Sequence, residues 1–132
     1  YYYGIVGNGS RHNTEITVNG GTFKAYNTKE GLGIFHPQDG KLTINGGTFE
    51  AYESGIEVRG GTVEITGGTF TSTASPLDVD PNGSGSTPKG AALAIAQHTT
   101  KKDIAVTINE GTFKGVKSLS EMDPTVIHKR NF

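Results

Sequence analysis

The 132-residue sequence contains no cysteine and no tryptophan, a single methionine and five prolines. Without cysteine there can be no disulfide framework, no thiolate metal site and no cysteine nucleophile. No apolar stretch approaches the ~18–20 residues that a membrane-spanning helix requires. Charge of one sign is also missing. Twelve basic side chains face thirteen acidic ones for a formal net charge of −1, and no Lys/Arg cluster interleaves with aromatics, so the sequence argues against a nucleic-acid partner. The opening residues Tyr1-Tyr2-Tyr3-Gly4 resemble neither an initiator segment nor a signal peptide, which leads us to expect a chain excised from something longer. Nucleophile and phosphate signatures of the Gly-x-Ser-x-Gly and Walker type are absent as well.

What the sequence has in excess is glycine, 20 residues, and much of it recurs in one phrase. The phrase reads Ile16-Thr17-Val18-Asn19-Gly20-Gly21-Thr22-Phe23, then Leu42-Thr43-Ile44-Asn45-Gly46-Gly47-Thr48-Phe49. It returns as Val63-Glu64-Ile65-Thr66-Gly67-Gly68-Thr69-Phe70 and as Val106-Thr107-Ile108-Asn109-Glu110-Gly111-Thr112-Phe113. Successive Phe residues stand 26, 21 and 43 positions apart. A period in the twenties suits a coil of three short strands, and 43 is close to two periods. The third interval therefore holds a long loop or a degenerate coil, placed at residues 72–90.

Inside each copy, apolar residues alternate with Thr or Glu, the period of a strand with one buried face. The Asn-Gly or Thr-Gly step supplies a corner through its tolerance of left-handed backbone angles. Thr-Phe then begins a second strand. Phe23, Phe49, Phe70 and Phe113 should stack coil upon coil, with Ala25, Ala51, Ser72 and Gly115 as small neighbours. A third strand carries Ile5, Ile34, Ile56 and Leu93 in a second inward column. The expected fold is a single all-β domain, a right-handed parallel β-helix of about four to five coils, with residues 116–132 as an irregular segment or cap. The alternative is an antiparallel sandwich of hairpins, since Asn-Gly is also a hairpin signal. Parallel stacking accounts better for the repeated phrase, because it places like over like.

Leu42–Phe49 and Ser54–Phe70 resemble the coils of β-helical surface proteins from anaerobic, mostly gut-dwelling Gram-positive bacteria, and Pro81–Gly85 with Gly90–Lys101 resembles a recurring stretch of the same group. The resemblance covers residues 4–115. It implies an extracellular, cell-surface location and a trunk or adhesin role. A related clostridial group is described as carbohydrate-binding, resembles pectate lyases in fold and binds calcium through Asp pairs just before the Gly-Ile strand. Here the equivalent places read Thr28-Lys29-Glu30-Gly31-Leu32-Gly33-Ile34 and Ala51-Tyr52-Glu53-Ser54-Gly55-Ile56, with single glutamates and no Asp pair.

A lyase site needs carboxylates converging on a metal and a base along one outward column. The outward column beside the Gly-Ile strand offers only Glu57 and Arg59, which read as a surface cross-strand pair or a ligand contact, so no catalytic residue is assigned. Asp78, Asp80 and Asn82 match the first half of an acidic calcium loop, but Lys89 stands where the bidentate Glu belongs and Pro81 stiffens the loop. No cofactor is expected, with calcium at that loop the weak exception. His12, His36, His98 and His128 share no metal-ligand spacing and read as loop or rim residues.

Sugars bind by stacking on exposed rings. Tyr26 and Tyr52 follow Phe-x-Ala equivalently and should form a ladder. With Phe35, Glu57 and Arg59 they are the candidate ligand-binding residues. Three functions follow: a non-enzymatic stalk or adhesin trunk presenting loops, a carbohydrate-binding module, or a pectate-lyase-like enzyme holding part of its site here. The expected partners are a glycan or a host surface, with end-to-end self-association through uncapped strand edges.

Overall fold

The computed structural model describes residues 2–7, 13–25, 29–37, 39–82, 85–122 and 128–131. Every regular element in them is a β-strand, and the strands lie in three parallel sheets plus one hairpin. The first sheet contains β1 (Tyr2–Val6), β4 (Gly31–His36), β7 (Ser54–Val58), β12 (Ala91–Ala96) and β15 (Lys117–Met122), in that spatial order. The second contains β2 (Thr14–Val18), β5 (Gly40–Ile44), β8 (Gly61–Ile65), β13 (Ile104–Ile108) and β16 (His128–Asn131). The third is formed by β3 (Thr22–Lys24), β6 (Thr48–Ala51), β9 (Thr69–Ser72) and β14 (Thr112–Lys114). Consecutive strands thus pass from sheet to sheet, and the chain returns to the first sheet one rung further on. Parallel pairing throughout the three sheets removes the sandwich alternative.

The pairing registers place like over like. Ile5 lies against Ile34, Ile34 against Ile56, Ile56 against Leu93 and Leu93 against Leu119. Ile16, Leu42, Val63 and Val106 form a second column. Phe23, Phe49, Phe70 and Phe113 form the third, with neighbouring ring centroids 5.0–5.3 Å apart and planes within 12° of parallel. The middle rungs bury these residues completely, whereas Ile5, Ile16, Phe23, Phe113 and Leu119 in the outer rungs are only partly covered. Each fully buried Phe contributes about 1.5–3 kcal/mol, and offset stacking adds roughly 0.5–1.5 kcal/mol per pair.

The corner is built differently from the sequence expectation. The left-handed backbone falls on the second glycine of the phrase, at Gly21, Gly47, Gly68 and Gly111 (φ +103° to +150°), and not on the Asn. A Cβ at Gly47 would also stand 3.0 Å from Cζ of Phe49, so this glycine makes room for the ring that follows it. The Asn side chains act along the stack instead. Asn45 Nδ2 donates to Asn19 Oδ1 at 2.9 Å, and Thr66 Oγ1 donates to Asn45 Oδ1 at 2.7 Å.

Two further segments differ from expectation. Within the interval 72–90, expected as a loop or degenerate coil, residues 78–82 and 85–89 form an antiparallel pair, β10 (Asp78–Asn82) and β11 (Gly85–Lys89). The C-terminal segment supplies strands to two sheets, β15 on β12 and β16 on β13, in place of an irregular cap. Its register explains why the phrase is not visible there: Arg130 takes the position of Val63 and Val106.

Candidate functional site

The residues singled out from the sequence meet, in part, on the outer side of the first sheet. Phe35 and Glu57 are register partners on β4 and β7, and Ala94 of β12 continues the row. Arg59 follows β7 two residues after Glu57. Strand alternation places these side chains opposite the Ile column, and the contacts agree. The Arg59 guanidinium carbon lies 5.2 Å from the Phe35 ring centre, and the Tyr3 ring stacks on Phe35 with centroids 5.4 Å apart and planes 10° from parallel. A Tyr3–Phe35–Arg59 pile therefore runs across three rungs.

Glu57 and Arg59 are not a surface pair. Both are buried, at 0% and 1% exposure, and they sit on one chain segment instead of facing each other across strands. Arg59 Nε donates to Glu57 Oε2 at 3.0 Å, and Arg59 Nη2 donates to Thr87 Oγ1 at 3.0 Å. Thr87 belongs to β11, so the hairpin is what removes the pair from water. Ser54 Oγ donates to the Pro88 carbonyl at 2.9 Å and pins the same strand to β7. Backbone of the hairpin also lies on the guanidinium, since a Cβ at Gly85 would stand 3.1 Å from Arg59 Nη1.

The covering is legible in β12 once it is known. Ala91-Ala92-Leu93-Ala94-Ile95-Ala96 is buried at every position, the mark of a strand covered on both faces. Alanine at the outward positions lets β11 approach closely. A continuous apolar run beside a long interval was the sequence signal for a second layer.

Burial has electrostatic consequences. It pushes the Glu57 carboxyl up to about 7, against the opposing pull of Arg59 and the Thr87 hydrogen bond. Glu53, immediately before β7, is also fully buried, and neither of its carboxyl oxygens has a hydrogen-bond partner among the described residues. Burial first, then the negative charges of Asp80, Glu57 and Glu30, raise it to about 8, while Lys89 pulls the other way. In the sequence Glu53 is distinguished only as a single glutamate at the place where the clostridial group that the chain resembles carries an Asp pair. Tyr3 is raised by burial and by Glu57.

The other candidates stand apart. Tyr52 is half-buried in the bend between β6 and β7, where its carbonyl accepts from Ser72 Oγ at 2.8 Å; Tyr26, and with it the expected ladder, lies outside the described residues. Asp78, Asp80 and Asn82 lie on β10 in an antiparallel ladder, with Asp78 Oδ1 accepting from the Val79 amide at 2.8 Å. Extended backbone does not wrap a cation as an acidic calcium loop does. Among the described residues no three His, Asp or Glu side chains converge as a metal site would require. His36 is no rim residue: it lies in register with Val58, is 2% exposed, and contacts the Gly40 carbonyl through Nε2 at 3.3 Å. Burial lowers its pKa. His98 is lowered by burial and by Arg59.

A second, shallower cleft of about 500 Å³ crosses the entry side of the second sheet, lined by Glu15, Asp39, Lys41, Thr62, Glu64 and Asp103 among others. Lys102 reaches Asp39 at 3.6 Å on its rim. It contains none of the residues proposed from the sequence. Compared with protein families, characterised proteins and solved structures, the chain finds no match.

Proposed function

We propose that the chain is a run of about five coils of a right-handed parallel β-helix serving as a non-enzymatic, rigid trunk of an extracellular protein at the surface of a Gram-positive anaerobe. The observation that carries this reading is the like-over-like register of all three sheets, which commits the repeated residues to packing: Ile, Val and Phe to the core, glycine to the corner, Asn and Thr to the ladder. Right-handedness follows from the strong preference of parallel crossovers. The buried Glu57–Arg59 pair is closed off by Thr87 and Pro88 and offers a substrate no entry. Incubation with plant, host and bacterial polysaccharides, read out by reducing ends and by absorbance of unsaturated products, is expected to show no turnover. Turnover abolished by Glu57→Gln or Arg59→Ala overturns the trunk reading in favour of the enzyme.

A second reading, a carbohydrate-binding module, is favoured by the rings at the first rung. Tyr2 is 55% and Tyr3 37% exposed, the latter held flat against Phe35, and exposed, oriented rings suit stacking on sugar. Glycan-array binding lost in the Tyr2→Ala plus Tyr3→Ala variant supports this module, and an array without signal removes it.

A further inference from the structure

The hairpin β10–β11 is the only antiparallel pair among the described strands, and it sits over the outer face of β7 and β12. It closes three unlike things beneath it: a satisfied ion pair, Glu57–Arg59; a Glu53 carboxyl without a hydrogen-bond partner among the described residues; and the remaining oxygen of Glu57, Oε1, which has none either. A buried polar group left without a partner costs free energy that water would return, and the cost is far larger for a carboxylate than for a carboxylic acid. Ser54 Oγ donates to the Pro88 carbonyl and Arg59 Nη2 to Thr87 Oγ1, and these bonds fasten β11 to the sheet beneath.

We propose that the β10–β11 hairpin is a proton-gated strap: it lies closed over Glu53 while this residue carries its proton, and lifts from the sheet when Glu53 ionises.

The charges around the pocket set the direction. Glu53 feels Asp80 on β10, Glu57 on β7 and Glu30 before β4 as like charges, and Lys89 on β11 as the one opposite charge. Glu57 is paired with the Arg59 guanidinium and accepts from Thr87. Tyr3 on β1 and His98 beyond β12 complete the titratable groups that sense the cluster. Tyr3, raised above its ordinary value of 10.0, stays neutral through the range concerned. His98, lowered from 6.5, becomes neutral as pH rises and so removes positive charge near Arg59. Three carboxylates against one lysine make ionised Glu53 unfavourable under the strap. Because Glu53 holds its proton above the ordinary 4.5 when covered, closure is strongest in mild acid and is lost as pH rises towards about 8. Lifting admits water to both carboxylates and uncovers Glu57, Arg59 and Phe35.

The test is backbone hydrogen exchange on the whole chain between about pH 5 and 9, corrected for base catalysis and referred to the amides of β5 and β8. Hairpin protection is expected to fall about tenfold per pH unit between about pH 5 and 8 and to level off above that, with β5 and β8 unchanged. Glu53→Gln should flatten the fall, and Asp80→Asn, which removes a like charge from Glu53, should make it smaller and end it at a lower pH; the second variant serves if the first does not fold. The proposal is overturned if the hairpin keeps constant protection, if β5 and β8 lose theirs in step with it, or if Glu53→Gln and Asp80→Asn both leave the profile unchanged. A carbon-13 titration that finds the Glu53 carboxyl at its ordinary value in the folded chain overturns it as well.

Discussion

Arg59 donates through Nε to Glu57 Oε2 at 3.0 Å in a place where neither side chain touches water. Breaking such a pair from one side leaves an uncompensated buried charge. Above about pH 7, where Glu57 is ionised, Arg59→Ala is expected to destabilise the fold by about 3–5 kcal/mol in urea denaturation. The double variant Glu57→Leu plus Arg59→Met should recover most of that loss, since an apolar pair of similar volume can replace a buried ion pair at little cost. A double variant no better than Arg59→Ala would show that Thr87 and the hairpin, and not the isolated charge, hold the energy.

Glycines within one phrase should differ sharply. Gly47→Ala puts a side chain at φ +116° and against the Phe49 ring, so we expect a loss of about 1–3 kcal/mol. Gly20→Ala meets nothing within 4 Å and should fall within about 0.5 kcal/mol of the parent. Denaturation midpoints with unchanged slopes give both values.

Melting temperature should respond to pH from both sides. His36 is buried with its pKa depressed, so its contribution is complete above its ordinary 6.5 and is lost as pH falls below that value. Glu53 and Glu57 are raised, so theirs is complete at and below about 4.5 and is lost on the way up to about 8. Two glutamates outweigh one histidine, so an optimum at about pH 5 is expected, with Glu53→Gln flattening the alkaline flank and His36→Leu the acid one. A profile unaltered by both changes would count against these assignments.

Strands β1, β2 and β3 form the edge of all three sheets at one end, over a core rung that is only partly covered. Open parallel edges above half-covered Ile16 and Phe23 invite pairing with another chain. Sedimentation is expected to show concentration-dependent association, weakened by Thr17→Lys together with Thr22→Lys, both exposed. A monomer at every concentration would mean that this end is already closed.

The parts of the structure that repeat were legible in the sequence. Each phrase fixes strand period, corner and stacking residue locally, and the registers of Ile5 to Leu93 and Phe23 to Phe113 came out as read. What does not repeat was not legible. Glu57 and Arg59 look solvent-facing by alternation alone, and only the return of residues 78–89 over the sheet buries them. The last rung escaped because Lys117–Met122 and His128–Asn131 pair through backbone without the apolar phrase. His36 looked like a rim residue because polarity, taken without register, says little about a side chain whose neighbour along the stack is Val58. At the corner, Asn and Gly both tolerate left-handed angles, and the choice between them depends on where the Phe ring lies. Tyr52 and Phe35, grouped by composition, belong to different parts of the coil.

The hydrogen bonds of all three sheets run from rung to rung, so a pull on the two ends loads them along their own direction. Such a stack yields by peeling its outermost rung, not by shearing. Each rung of 21–26 residues then frees roughly 70–90 Å of extended chain. The Ser54–Pro88 and Arg59–Thr87 bonds fasten the long return between the third and fourth rungs sideways, across the direction of pull. Under tension that pair of rungs should give way last, leaving a ratcheted fibre whose lengthening comes in discrete steps.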